Sequence, residues 1–262
     1  CMEMLMVINA LILTTFIVLP NNGEKRNNRF FQLGSDFSKL VNSSTFIDKT
    51  PLIREILEEK IQKILITTPP SFGKTTNMKM LKKFLEIQVD KDGMVKKPIN
   101  KSENFKLFTE NNLRITTESP SIVVQNLGKF PIIFVDFKCD RDIRDYKDAV
   151  SFCKRVVHRC FKQHEYLFES EKLTEFERNL VEEWCDEDTT YDFEEIDISI
   201  GLKILSEMLC THYDGMKSFA LIDNYDSFIL RANHTVKDRQ EYDKIFKFFI
   251  SLMSNLLKVN PH

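Results

Sequence analysis

Residues 63–76 read KILITTPPSFGKTT, and this stretch decides the fold. It opens with a short run rich in β-branched residues, 63–67, which predicts a buried strand. Two prolines then break the run, and from Thr75 onward apolar residues recur at helical spacing: Met78, Leu81, Phe84 and Leu85. The stretch therefore predicts a strand, a loop and an amphipathic helix, in that order.

The loop between strand and helix is similar to a phosphate-binding loop, whose pattern is G-x-x-x-x-G-K-[ST]. Residues 68–75 match this pattern except at the first glycine. In such a loop Gly73 lets backbone N–H groups approach phosphate, Lys74 reaches the β- and γ-phosphates, and the Thr75 hydroxyl ligates Mg²⁺. Small polar residues also start ordinary helices, but a place between a strand and an amphipathic helix is the one the motif requires. The candidate nucleotide-binding residues are Phe72, Gly73, Lys74, Thr75 and Thr76.

A second apolar run, residues 219–223, ends on Asp223 and also predicts a buried strand. A phosphate-loop site requires such an acid at the end of another strand, where it holds Mg²⁺ through water. A buried strand that ends in Asp also arises by chance. Taken with the loop, Thr75 and Asp223 are the candidate metal ligands.

The rest of the chain predicts an α/β fold with a mainly parallel sheet. The 262 residues include 22 Phe but only 7 Gly and 8 Pro, a composition that favours long helices around a buried sheet. A continuous apolar run at residues 131–137 predicts another buried strand, and residues 90–129 predict a loop-rich region with short elements. Helices are predicted within residues 46–59, where Thr50 precedes Pro51, and over residues 146–167, 173–184, 198–213 and 242–257.

Charge and cysteine content exclude some functional classes. The net charge is −2 with both signs interspersed, so nothing in the charge implies nucleic-acid binding. The basic residues within 147–162 alternate with apolar ones and predict a solvated helix face. The six cysteines show no C-x-x-C spacing, which argues against a zinc site. Cys153 and Cys160 fit the core face of a helix. His164, four residues after Cys160, is only a weak signal for a metal.

The amino-terminal run, residues 4–19, is uncharged and apolar and has the length of a secretory signal. The basic residues follow the run instead of preceding it, so a signal anchor is the alternative, and contact with a membrane is expected only if the run stays uncleaved. The predicted organisation is a signal peptide or anchor at 1–23, a polar spacer with a short helix at 24–45, and one domain at 46–262. Asn42, Asn100 and Asn233 begin glycosylation triplets that would be used in the secretory pathway.

Four ordered blocks resemble the predicted AAA-ATPase-like family. They are FIDKT at 46–50, LITTPPSFGKTTN at 65–77, FPIIFVDFK at 130–138 and LIDNYD at 221–226, and the resemblance covers residues 46–228. It implies a P-loop NTPase-like three-layer fold that uses ATP and Mg²⁺. Some insect members of that family look secreted and include venom components, which implies the same for this chain.

The chain departs from the family pattern at two functional points. The family loop carries basic residues where Thr68, Pro70 and Ser71 stand, so phosphate affinity is expected to be lower. Asn224 stands at the position of the family glutamate that activates the attacking water, and an amide cannot accept a proton. Asp226 is the candidate substitute base. About forty residues follow Asp223, which leaves little room for the later family elements and predicts a carboxyl-terminally truncated domain.

Three functions remain open from the sequence. The first is an ATP-binding protein with weak or absent hydrolysis, a reading that includes a secreted pseudoenzyme. The second is an active nucleoside triphosphatase with another base, and the third is a non-catalytic interaction protein that retains only the fold. No pattern identifies a protein partner, so the predicted ligands are a nucleotide and Mg²⁺.

Overall fold

The structure is a computed structural model. It describes the backbone of residues 6–8, and residues 36–43, 46–59, 62–67, 69, 72–90, 93–96, 100, 102–186 and 193–257. The strands of this part are Met6–Ile8 (β1), Lys63–Leu65 (β2), Ile132–Asp136 (β3) and Phe219–Asp223 (β4). β1 pairs with β2 and β3 pairs with β4, both in parallel, and β1 lies beside β4. The mixed helix and sheet content with parallel strands agrees with the predicted α/β class.

The helices follow the predicted pattern in most of the chain. In chain order they are Phe37–Leu40 (α1), Pro51–Glu58 (α2), Lys74–Leu85 (α3), Glu103–Thr109 (α4), Arg114–Glu118 (α5), Pro120–Asn126 (α6), Tyr146–Lys162 (α7), Glu175–Cys185 (α8), Glu195–His212 (α9), Ser227–Thr235 (α10) and Arg239–Leu257 (α11). Pro51 opens α2 as predicted, and the described part of the loop-rich region contains the short helices α4 to α6. α10 is a helix that the sequence analysis did not predict.

The strand pair β3–β4 carries helices on both faces because its side chains alternate between two cores. Ile133 and Ile222 point into a core shared with α7, α9 and α11. Ile132 and Leu221 point into the other core, which α2, α3 and α4 complete. The predicted core cysteines Cys153 and Cys160 are both buried on α7.

The strand before the phosphate loop is less buried than predicted. β2 exposes Lys63 and leaves Leu65 47% exposed, while Ile64 between them packs against the α3 core. A strand that is covered on one face only shows this alternation, whereas the run rich in β-branched residues had predicted a buried strand.

The helix predicted over residues 146–167 ends earlier, at Lys162, and a 3₁₀ turn follows at Glu165–Glu169. Side chains from the end of α7 explain the break, because they satisfy carbonyl groups along the outer edge of β3. Gln163 Nε2 donates to Phe134 O at 2.9 Å, and His164 Nε2 donates to Ile132 O at 3.0 Å. These contacts cap an exposed sheet edge and turn the chain out of helical geometry.

The predicted amino-terminal signal lies outside the described residues, apart from the backbone of β1. Among the helices of the described ranges, none has the length and apolar character needed to cross a membrane.

Candidate functional site

The phosphate-loop candidate contains a glycine in the left-handed backbone conformation, which glycine adopts at little steric cost. Gly73 has φ +83°, and α3 begins at the next residue, Lys74. The N-cap residue Gly73 has no side chain to cap α3, and the first turn of the helix contains no acidic residue. The first N–H groups of this 12-residue helix therefore keep their capacity to bind an anion, which the helix dipole favours.

Two lysines donate to carbonyl groups of the loop. Lys74 Nζ donates to Pro69 O at 3.5 Å, and Lys49 Nζ donates to Phe72 O at 3.2 Å. The Phe72 side chain is 51% exposed. Phe72 therefore contributes its backbone to the site, and its ring faces outward.

The acidic residues of the site come from the ends of two paired strands. Asp136 on β3 and Asp223 on β4 are partners in the parallel register. Both side chains fall on the sheet face that carries α3, because side chains two residues apart share a face. Two carboxylates thus converge beside the start of the phosphate-loop helix.

Asp223 is 4% exposed and incompletely paired. Its Oδ1 accepts a hydrogen bond from the Asn224 N–H at 3.0 Å, whereas its buried Oδ2 has no partner in the described part of the chain. Burial raises the pKa of the Asp223 carboxyl. A hydrogen bond with the Thr75 side chain lowers this pKa, and the negative charge of Asp136 raises it. A bound cation would stabilise the charged form of this carboxyl, and within the described ranges Oδ2 is available to contact it.

The Asn224 side chain is held by the neighbouring strand. Its Nδ2 donates to Asp136 Oδ1 at 2.8 Å, and the same oxygen accepts the Lys138 N–H at 2.9 Å. Asn224 adopts φ +54°, a left-handed conformation that asparagine tolerates better than most residues. The amide is therefore anchored to a carboxylate that the sequence analysis had not assigned to the site.

A cavity of about 130 Å³ joins the loop helix to the acidic strand. It brings together four predicted site residues, Lys74, Asp223, Asn224 and Asp226, while Phe72, Gly73, Thr75 and Thr76 do not line it. The remaining lining residues are Ile66, Thr67, Asn77, Met78, Leu81, Ile222 and Tyr225. Drug-sized ligands usually occupy about 300–1,000 Å³, so this space suits phosphate groups better than a whole nucleotide.

The residues present fit Mg²⁺. The ion prefers oxygen ligands and is usually held by one or two carboxylates together with substrate phosphates and water. Asp223 offers its unpartnered Oδ2, and Thr75 offers a hydroxyl from the first turn of α3. Within the described ranges, no group of three or more His, Cys, Asp or Glu side chains could hold a metal on its own.

The weak metal signal at Cys160 and His164 has another explanation in the structure. Cys160 Sγ donates to Phe134 O, and His164 donates to Ile132 O. The second ring nitrogen of His164 accepts from the Tyr166 hydroxyl at 3.0 Å. One ring nitrogen of His164 therefore bonds to β3 and the other to the 3₁₀ turn that follows α7.

Sequence reasoning missed Asp136, Asn77 and Tyr225 as neighbours of the site. A signal for Asp136 was available, since residues 131–137 and 219–223 are both apolar runs in which an Asp follows the core residues. Parallel strands present their carboxyl ends at one edge, where ligands bind in open α/β sheets. No comparable pattern marks Asn77 or Tyr225.

Of three comparisons with known proteins, the comparison with family models found a match. The model of the AAA-ATPase-like family, described as predicted AAA-ATPase, matches residues 34–260. Its match begins before the domain boundary predicted at residue 46 and includes the loop, both acidic strands and α11. Neither the search of curated proteins nor that of solved structures found a match. The chain belongs to the AAA-ATPase-like family.

Proposed function

We propose that this protein binds ATP with Mg²⁺ between the start of α3 and the end of β4, and that it hydrolyses ATP weakly or not at all. The observation that carries the proposal is the buried Asp223, whose Oδ2 has no partner in the described ranges and which lies beside a helix that begins Lys74-Thr75. A P-loop NTPase-like three-layer fold is part of the same proposal. The family match and the helices on both faces of β3–β4 support it.

The binding residues divide the work by charge. The N–H groups that follow Gly73 would surround a phosphate, while Lys74 would place an ammonium group against the outer phosphates. Thr75 and Asp223 would hold Mg²⁺, which neutralises phosphate charge when bound. Thr76 follows in the same helical turn and would add a hydroxyl donor.

Weak hydrolysis follows from the environment of Asn224. Its amide can orient water but cannot take the proton, and general-base catalysis is typically worth about 10²–10⁴-fold in rate. The alternative is an active nucleoside triphosphatase, which the two nearby carboxylates favour. Asp226 lines the cavity, and Asp136 touches the Asn224 amide. A turnover near 1 s⁻¹, which lies within the common range for enzymes, would support this alternative.

Replacement of the loop lysine tests the binding site. We expect Lys74→Ala to weaken MgATP binding by about tenfold to a hundredfold, because one charge-assisted hydrogen bond is lost. Lys83→Ala is the matched control, since Lys83 lies in the last turn of the same helix. Isothermal titration of both variants with ATP and Mg²⁺ gives the comparison, and equal affinity in wild type and Lys74→Ala would refute the phosphate-loop assignment.

We also propose that the protein enters the secretory pathway, with residues 4–19 as the signal. A membrane anchor formed by the same residues is the alternative. The length and apolar character of the run support both, and an insect or venom origin rests only on the family resemblance.

A further inference from the structure

Lys49 lies on a turn that hydrogen bonds hold rigid. The turn precedes α2, and Asp48 Oδ1 accepts both the Thr50 N–H at 2.8 Å and the Thr50 hydroxyl at 2.7 Å. Asp48 and Thr50 therefore fix the residue between them from both sides. The FIDKT block that supplied part of the family resemblance forms this turn, and the proposed function gives it no role.

A second element locks the same turn. Asp48 Oδ2 accepts the Arg114 N–H at 2.7 Å, and the Thr50 hydroxyl accepts the Ile115 N–H at 3.1 Å. These donors lie at the start of α5, and Thr50 is fully buried. The residues on both sides of Lys49 are thus hydrogen-bonded to α5, while the Lys49 side chain is exposed.

The Lys49 side chain reaches the phosphate loop. Its Nζ donates to Phe72 O at 3.2 Å, one residue before Gly73. An exposed carbonyl can be satisfied by water, so it does not require a lysine 23 residues away. An ammonium group has three donors, and the hydrogen bond to Phe72 O uses one of them.

The sequence of the loop leaves a need for such a charge. Thr68, Pro70 and Ser71 stand where the family loop is basic, so the loop itself supplies Lys74 as its one cation. We propose that Lys49 is a second phosphate-binding cation of the site, contributed by the Asp48–Thr50 turn from outside the loop. This inference rests on the proposed nucleotide-binding function and adds a preference for polyphosphate ligands.

The test compares ligands that differ in phosphate number. Lys49→Ala, Lys49→Arg, Lys74→Ala and the control Lys39→Ala, an exposed lysine on α1, are titrated with ATP, ADP, AMP and inorganic tripolyphosphate in the presence of Mg²⁺. Lys49→Met keeps most of the apolar stem and serves if the alanine variant unfolds. A thermal melt of each variant shows whether the fold is retained.

We expect Lys49→Ala to weaken ATP and tripolyphosphate binding by about tenfold or more, as one lost charge-assisted hydrogen bond implies. Binding of AMP should change much less, Lys49→Arg should retain affinity within a few-fold, and Lys39→Ala should match wild type. An equal loss for ATP, ADP and AMP would mean that Lys49 only holds the loop, and would overturn the inference. Unchanged binding in Lys49→Ala with loss in Lys74→Ala would overturn it too, while unchanged binding in Lys74→Ala would instead reject the proposed function.

Discussion

If Asn224 limits hydrolysis as proposed, its contact with Asp136 decides how a proton acceptor could be introduced. From the sequence alone, Asn224→Glu should supply the missing proton acceptor and raise turnover by one or more decades. In the structure the Asn224 amide nitrogen lies 2.8 Å from Asp136 Oδ1. Glutamate at position 224 would lose this hydrogen bond and place a carboxylate beside another carboxylate.

The size of this repulsion follows from the separation. Two unit charges about 4 Å apart interact by ~4 kcal/mol at an effective dielectric constant of about 20, which corresponds to ~3 pKa units. The charge would favour the protonated form of one carboxyl at neutral pH, and a protonated acid is no base. We therefore expect Asn224→Glu alone to raise turnover less than tenfold.

Exchange of the two groups avoids the repulsion. In the double variant Asp136→Asn, Asn224→Glu, the amide at position 136 can donate to the carboxylate at position 224. We expect turnover to rise by about 10²–10⁴-fold with little change in ATP affinity. Phosphate release under single-turnover conditions measures the rate, an ATP titration measures binding, and Asp136→Asn alone gives the background without either carboxylate.

Two results would refute this reasoning. A full gain in Asn224→Glu alone would show that Asp136 does not oppose a carboxylate at this position. No gain in the double variant, with ATP binding intact, would show that position 224 does not face the attacking water.

Two further predictions concern stability and processing. The pKa of His164 is lowered to about 3. Burial is the largest cause and the charge of Lys82 acts in the same direction, while the hydrogen bond to the Ile132 carbonyl raises the pKa. The unfolded chain takes up this proton near pH 6.5, so wild type should lose up to ~1.4 kcal/mol of unfolding free energy per pH unit as pH falls from about 6.5 toward 3. Urea unfolding at about pH 7 and pH 5 should show a smaller loss for His164→Gln, and equal losses would contradict the assignment. Expression in a secretory host should yield medium-borne protein that lacks residues 4–19 and, with them, β1. This protein should shift on N-glycosidase treatment, since Asn42, Asn100 and Asn233 are all exposed. Intact protein in the cytosol or the membrane pellet would contradict this prediction.

Local patterns predicted the central elements because their signals lie within each segment. β3 and β4 occupy residues 132–136 and 219–223, close to the apolar runs that predicted them, and Pro51 marks the start of α2. The prediction that this helix extends to residue 167 was wrong, because long-range contacts decide where α7 ends. Gln163 and His164 bond to carbonyls on β3, 29 and 32 residues away, and no local pattern contains that information.

The candidate site shows the same division. Lys74, Asp223 and Asn224 were predictable, because the loop pattern and the strand end mark them. The role of Asp136 depends on a contact across 88 residues, which only the register of β3 and β4 creates. Lys49 likewise reaches the loop from another part of the chain. Its sequence neighbours identify a family block, but they do not show that the Lys49 side chain bonds to Phe72 O.

Binding and hydrolysis can be lost separately in this arrangement, because different elements supply them. The proposed phosphate contacts come from α3 and the Lys49 turn, whereas the position of the proton acceptor lies on β4 and is anchored to β3. Asparagine in place of glutamate at position 224 therefore removes a base without changing a proposed phosphate ligand. Asp223 argues against the third possibility, a fold retained without nucleotide. A buried acceptor without a partner costs about 1–3 kcal/mol, and more for a charged group. Asp223 Oδ2, which has no partner among the described residues, is therefore a cost unless a cation or its water offsets it. A scaffold with no ligand would be more stable with an apolar residue or a paired amide there, and that is the physical reason to expect a cation-bearing ligand at this strand end.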